Sequence, residues 1–320
     1  MDALYNAAKP RVVAIGGPTA TGKTALSVAL AKRFGGEIIS ADSMQIYQGL
    51  DVGTAKVTPE EMQGVPHHLV GFLAPEQAFS VADFTTLAGK TITQLTAQGK
   101  LPLVVGGTGL YITSLLNGIG FTPEKVDPAI RQELQARLQA EGSQALYAEL
   151  AAVDPGYAAK VHPNNTPRVI RALELYRATG RKMSAEREAA RPAEKPYRSL
   201  CLCLTCRDRT LLYQRIDTRC DRMMQSGILE EAKLVYDHRD TYRTAAQAIG
   251  YKELLGYLNG EQTLEECTEL LKRRSRNYAK RQLTWLKRDD SIHWIYYNSG
   301  EELPFVLQET TKYLQNHGVQ

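Results

Sequence analysis

The run Gly17-Pro18-Thr19-Ala20-Thr21-Gly22-Lys23-Thr24 satisfies G-x-x-x-x-G-K-[ST] and lies between the apolar stretch VVAIG and the helical pattern ALSVALAKRF. Glycines let such a loop curl so that its N–H groups point inward. The following helix N-terminus adds positive potential, and Lys23 supplies a charge for phosphate oxygens. Thr24 is placed to ligate Mg2+. The motif is also the signature of ATP binding, and the cradle holds a diphosphate as readily as the end of a nucleoside triphosphate. A second group must therefore identify the substrate.

Asp42 follows the strand-like EIIS and is expected at the carboxyl edge of a parallel sheet, beside the phosphate loop. There it serves as a general base or a metal ligand, unless it only caps the segment after Ser43. An ordinary ATPase carries a strand ending in Asp to hold Mg2+, whereas LPLVV runs into Gly106-Gly107-Thr108-Gly109. That weakens an ATPase reading. It points to backbone and hydroxyl groups approaching a ligand closely, with a tight strand-to-helix turn as the structural alternative.

Further along, LLKRRSRNYAKRQLTWLKR places Leu271, Ser275, Tyr278, Gln282 and Trp285 on one helical face and Lys272, Arg276 and Lys280 on another. Lys272 to Arg288 carries eight basic residues and no acid, while residues 1–120 carry eight of each sign. Such a stripe can follow a nucleic-acid backbone or simply be a solvated face. Arg168, Arg171, Arg177 and Arg181 offer a second basic surface. Gln247-Ala248-Ile249-Gly250-Tyr251-Lys252 presents an aromatic that could stack on a base. Adjacent His67 and His68 lack ligand spacing and are read as structural. Cys201 and Cys203 in LCLCL are read as small buried hydrophobes and not as a metal site.

The elements that must position these groups follow from the pattern. RVVAIG, EIIS and LPLVV are short apolar runs separated by helical segments, as in a parallel sheet with crossover helices. From about Thr122 to Pro196 the chain reads as all helix, with Asp127-Pro128 and Thr166-Pro167 as starts and Gly142 and Gly180 as stops. Arg198–Leu204 then resumes a strand pattern. The fold class expected is α/β, a P-loop NTPase-like parallel core with an inserted all-helical domain and a helical C-terminal region. The domains are residues 1–121, 122–196 and 197–320, with a late strand at Ile292–Tyr297 and a closing helix near Glu302–Asn316.

With 320 residues, 43% hydrophobic, 23% charged and a net charge of +4, the composition excludes a mainly disordered chain. No apolar run reaches the ~18 residues of a membrane span. The expectation is a cytoplasmic protein without membrane association, taken as a monomer.

In combination, GPTATGKT, ISADSMQIYQGLDVGTAK, GGTGLY, NNTPRVIRALE, AIGYKE and YAKRQLTW, in that order, resemble the bacterial tRNA dimethylallyltransferases. The resemblance implies transfer of a dimethylallyl group from dimethylallyl diphosphate to N6 of the adenosine on the 3′ side of the anticodon. Diphosphate leaves with Mg2+ assisting. It implies that Thr19–Thr24 hold the donor diphosphate, within the loop Gly17, Pro18, Thr19, Ala20, Thr21, Gly22, Lys23 and Thr24, that Asp42 is the general base, and that Arg219 neutralises the leaving diphosphate. Asp42, Ser43, Met44, Gln45, Thr108, Arg131, Thr166, Pro167, Arg168, Val169, Ile170 and Gln247 to Lys252 match positions expected to face the anticodon stem-loop, alongside Lys272, Arg276 and Lys280. Ser275 stands where threonine is expected, and Cys201 and Cys203 where aliphatics are. The competing readings are an adenylate isopentenyltransferase, a P-loop small-molecule or nucleotide kinase, and a non-catalytic RNA-binding sensor of nucleotides.

Overall fold

A computed structural model describes residues 9–121, 127–298 and 302–320. Six parallel strands form one sheet in the order β3-β2-β4-β1-β5-β6. They are β1 (Arg11–Gly16), β2 (Gly36–Ser40), β3 (His67–His68), β4 (Leu101–Val105), β5 (Arg198–Cys206) and β6 (His293–Tyr297). β1 pairs with β4 on one side and β5 on the other, so it is buried on both faces and reads as a continuous apolar run. Val13 and Ile15 pack with Leu26 and Leu30 of α1 (Lys23–Phe34), while Val12 and Ala14 face the opposite layer. The expected strands are all present. The two-residue β3 follows α2 (Pro59–Met62) and was too short to show a period.

That opposite layer contains α3 (Val81–Ala97) and α4 (Gly109–Leu116), whose Phe84, Ile92, Tyr111 and Ile112 close the core. Each fully buried aliphatic or aromatic side chain of this kind contributes about 1.5–3 kcal/mol. α3 starts at a reciprocal cap, in which Ser80 accepts from Asp83 N–H and Asp83 accepts from Ser80 N–H.

The chain divides into two compact units, one formed by the segment through Leu116 together with Pro196 onward, the other by Asn117–Lys195. Thr122, the expected start of the insertion, lies outside the described residues. The second unit is helical: α5 (Pro128–Glu141), α6 (Ser143–Val153), α7 (Pro155–Ala158), α8 (Thr166–Thr179) and α9 (Met183–Ala189). Asp127 caps α5 through Ala129 N–H, and Gly142 and Gly180 end α5 and α8. Thr166 is itself the first residue of α8, so the helix begins one place earlier than expected, with Asn165 in the cap position. Leu134, Leu146, Leu150, Val169 and Leu173 form the core of this unit.

In the first unit the chain continues with α10 (Arg209–Gln225), α11 (Ile228–Asp237), short 3-10 turns at Ala245–Gln247 and Lys252–Leu254, α12 (Leu255–Leu258), the long α13 (Leu264–Leu286) and α14 (Leu303–Asn316). Among the described residues no helix is long and apolar enough to cross a membrane. Cys203 is buried with Leu286 and Ile292, and Cys201 packs against the same group, which fits their reading as small apolar side chains.

His67 and His68 lie at the edge of the sheet, where His68 Nε2 is 2.7 Å from Glu37 Oε2 and Lys100 pairs with the other oxygen. Burial alone raises the Glu37 carboxyl, but the bonds from Lys100 and His68 outweigh it and hold the group below its ordinary value of 4.5. A depressed carboxyl contributes stability above its unfolded value and loses it as pH falls through the folded value. Glu37→Gln should therefore be less stable than the wild type at neutral pH, with the gap closing below about pH 4. Urea unfolding at both pH values checks this.

Candidate active site

The phosphate loop leaves β1 against β5 at a distance that only glycine permits. A Cβ on Gly17, at φ +144°, would lie 2.3 Å from the Leu204 carbonyl oxygen. Ala20 (φ 64°) and Gly22 (φ 73°) then turn the backbone through left-handed conformations. Thr21 is fully buried, and its hydroxyl donates to Pro18 O at 2.8 Å. Lys23 Nζ donates to the same oxygen at 2.6 Å. Tyr297 closes the loop from β6 by donating to Thr21 O.

The Thr19 amide departs from expectation: it donates to Gln282 Oε1 at 3.1 Å, so it is a tether. The amides of Ala20 through Thr24 have no partner among the described residues and remain for an anion.

Burial pushes the Lys23 ammonium down to about 8, Arg219 lowers it further, and Asp42 works in the opposite direction. Arg219 of α10 is also lowered by burial, again offset in part by Asp42. Arg219 makes no ion pair among the described residues. Two half-buried cations thus repel one another, offset by Asp42 and, at Arg219, more weakly by Glu61. A multiply charged anion relieves that imbalance.

Asp42 follows β2 and caps the turn after it. Its Oδ1 accepts from Met44 N–H (2.9 Å) and Gln45 N–H (3.3 Å), while Oδ2 has no partner among the described residues. Beside it, Ser43 N–H donates to Thr108 Oγ1 at 3.1 Å, and Gln45 Nε2 donates to Ala55 O at 2.8 Å. Tyr278 of α13 completes the surroundings: burial, then the charge of Asp42, raise its phenol to about 12, while hydrogen bonds to Thr108 and Gln282 pull the other way.

The Gly106–Gly109 turn is explained by the protein's own packing. Added Cβ atoms would come within 2.2 Å of Ala41 O at Gly106, 2.1 Å of Gln282 Nε2 at Gly107 and 2.3 Å of Trp285 Cδ1 at Gly109. The expectation that these glycines admit a ligand gives way to the tight-turn alternative. Thr108 turns its hydroxyl toward Ser43, beside Asp42.

The family model described as "IPP transferase" matches residues 45–289, and one described as "Isopentenyl transferase" matches residues 10–70. The chain belongs to the IPP transferase family. It is 50% identical over 290 residues to a tRNA dimethylallyltransferase of Bacillus subtilis, covering 91% of this chain and 92% of that one. A Halalkalibacterium halodurans tRNA dimethylallyltransferase is 48% identical, covering 90% and 91%. Among solved structures, the full-length tRNA isopentenylpyrophosphate transferase from Bacillus halodurans superposes with TM-score 0.70 at 44% identity, covering 96% of this chain and 98% of that one. A eukaryotic dimethylallyltransferase acting on tRNA reaches TM-score 0.80 at 30% identity, covering 96% and 79%. This family is one of prenyltransferase enzymes.

Several residues expected to face RNA in this family member are engaged internally. Tyr251, read as exposed, is 1% exposed, and its ring fills the space a Cβ on Gly53 would need, 2.4 Å away. Its hydroxyl donates to Glu231, a residue that sequence patterns did not single out. Glu231 also accepts from the amides of Asp51 (3.0 Å), Val52 (2.8 Å) and Gly53 (3.1 Å). Ala248 and Gly250 are buried with Tyr251, Ile249 is half-buried, and only Gln247 and Lys252 of this stretch are exposed.

The basic stripe is likewise partly neutralised. Lys272 pairs with Asp221 (2.8 Å) and Glu269 (3.1 Å), and Arg276 with Asp217 (2.6 Å). Asp217 and Asp221 recur at the same four-residue interval on α10 as their partners do on α13, so the two helices zip together. Lys280, with Arg273 and Arg274, is exposed and makes no ion pair among the described residues.

In the helical unit, Val169 and Ile170 are core residues, and Arg131 binds the buried Glu174 with both ends of its guanidinium. Arg171 also reaches Glu174, Arg177 pairs with Glu133 and Glu149, and Arg181 with Glu186. Arg168 and Pro167 are exposed and Thr166 half-buried. A helix can count charges in its sequence but not the acids that fold against them.

Replacing Glu231 with Ala should destabilise the first unit by on the order of 2–4 kcal/mol, because three amides and a phenol lose their acceptor. Denaturant unfolding measures the loss, and amide exchange at Val52 and Gly53 should accelerate in the same variant.

Proposed function

We propose that the chain transfers a dimethylallyl group from dimethylallyl diphosphate to N6 of the tRNA adenosine on the 3′ side of the anticodon, releasing diphosphate. The observation that carries this reading is the convergence of Lys23, Arg219 and the open oxygen of Asp42 at one edge of the sheet. The amides of Ala20–Thr24, Lys23 and Arg219 hold the diphosphate. The adenine amine is a weak nucleophile because its lone pair is delocalised into the ring. Asp42 Oδ2 accepts its proton as the N6–carbon bond forms and the carbon–oxygen bond to diphosphate breaks. Positive charge gathers on the allylic carbon while the cations stabilise the departing anion.

Magnesium fits at Thr24, a half-buried residue of the first turn of α1 whose hydroxyl is a hard oxygen donor. When bound, the ion supplies further countercharge to the diphosphate. The target base leaves its stack to enter the site. The helical unit serves as the tRNA-holding module, through Thr166, Pro167 and Arg168 rather than the ion-paired arginines. The protein works as a monomer in the cytoplasm.

Incubation with radiolabelled dimethylallyl diphosphate tests the reading: label should enter unmodified tRNA and not free AMP. Asp42→Asn keeps the amide-capping oxygen but cannot take a proton, so turnover should fall about 10²–10⁴-fold with both Michaelis constants little changed. Near-normal turnover in the folded variant would move the base elsewhere.

Removing charge at Arg273, Arg274 and Lys280 should flatten the salt dependence of tRNA binding, each lost phosphate contact reducing the log–log slope by roughly 0.7–0.9. The same change at Lys272 and Arg276 should lower thermal stability and leave the slope nearly intact. Filter binding across a salt series separates the two groups.

A further inference from the structure

Gln282 is a polar side chain on the buried face of α13, and both ends of its amide are used. Its Oε1 accepts from Thr19 N–H at 3.1 Å, and its Nε2 donates to Gly107 O at 2.9 Å. One neighbour is a donor and the other an acceptor, so the amide has a single satisfied orientation. Thr19 opens the stretch of phosphate loop whose next amides are free. Gly107 precedes Thr108, which holds Ser43 next to Asp42. Tyr278, one turn earlier on α13, lies close enough to Thr108 and Gln282 for both to favour its ionised form. Gly107 is shaped to this arrangement, since a methyl there would lie 2.1 Å from Gln282 Nε2.

We propose, on the basis of the transfer reading above, that Gln282 is a positioning residue that fixes the donor loop relative to the acceptor-side turn. The two reacting partners are held by different segments, the donor by the loop after β1 and the acceptor by the turns after β2 and β4. Group transfer requires the attacking nitrogen and the allylic carbon to be held within near-attack distance. A glycine-rich loop has little stiffness of its own, so a side chain that bonds one loop to the other sets that distance. Gln282 touches neither reacting atom and acts through Thr19 and Gly107.

Gln282→Met keeps the volume and removes both hydrogen bonds. The expected result is a rise of about tenfold in KM for dimethylallyl diphosphate and a comparable fall in kcat, with tRNA affinity measured without donor unchanged within about twofold. A purely structural role would lower the melting temperature and the active fraction but leave the donor KM alone. A donor KM within about twofold of the wild type therefore overturns the proposal.

A double-mutant cycle provides a second reading, which decides the matter if Gln282→Met does not fold. Gly107→Ala should be impaired in the same way because its methyl displaces the Gln282 amide, and Gly107→Ala combined with Gln282→Ala should be no worse than either alone. Losses that multiply overturn the proposal. Failure of the wild-type protein to label tRNA at all would instead sink the transfer reading, an outcome distinct from a variant that matches an active wild type.

Discussion

Lys23 and Arg219 sit half-buried within electrostatic reach of one another, with Asp42 as the carboxylate that offsets both. Like charges do not gather this way unless the scaffold leaves them no alternative. Lys23 begins α1 and is aimed by the loop that β1 delivers; Arg219 lies on α10, which follows β5, the neighbour of β1 in the sheet. The parallel arrangement brings both strand ends to the same edge. The close approach of Gly17 to Leu204 seats the loop there. Under the proposed reading, the donor diphosphate supplies the further negative charge that this arrangement favours.

Carboxylates elsewhere in the chain show by contrast why Asp42 stands apart. Glu231 accepts from three consecutive amides and a phenol; Asp154 accepts from the amides of Tyr157 and Ser184; Glu174 is gripped by Arg131. These acids are anchors whose acceptor capacity is directed into the fold. Asp42 spends one oxygen on the turn it caps and leaves the other open beside two cations. The cap holds the group still, and the open oxygen is the one assigned to the proposed proton transfer. The turn-capping role and the proposed general-base role are therefore compatible in one residue, although no helix directly follows Asp42.

Aromatic and glycine motifs divide in the same manner. GGTG and AIGYKE both resemble ligand-approach segments, yet their glycines and Tyr251 are committed to the protein's own chain. Backbone that must pass another backbone or a ring within van der Waals distance requires glycine whether or not a ligand is present. Within each motif, function is left to the residues that packing does not consume, such as Thr108.

The sequence by itself determined the sheet, the phosphate loop, the helical insertion and the nomination of Lys23, Thr24 and Asp42. These rest on local signals: apolar runs buried on both faces, a glycine pattern that curls a loop, and a residue placed just after a strand. The resemblance of six ordered blocks nominated Arg219. Tertiary structure alone decided which cations keep their charge available. Lys272, Arg276 and Arg131 look equivalent to Arg273, Lys280 and Arg168 in one dimension, and the difference lies in Asp217, Asp221 and Glu174, which are 43 to 59 positions away or reach them only through helix packing. It also decided that Thr19 is a tether and Gln282 its partner, 263 positions apart. A hydrogen bond between distant residues leaves no period in either segment, so only the fold that brings the two together can reveal it.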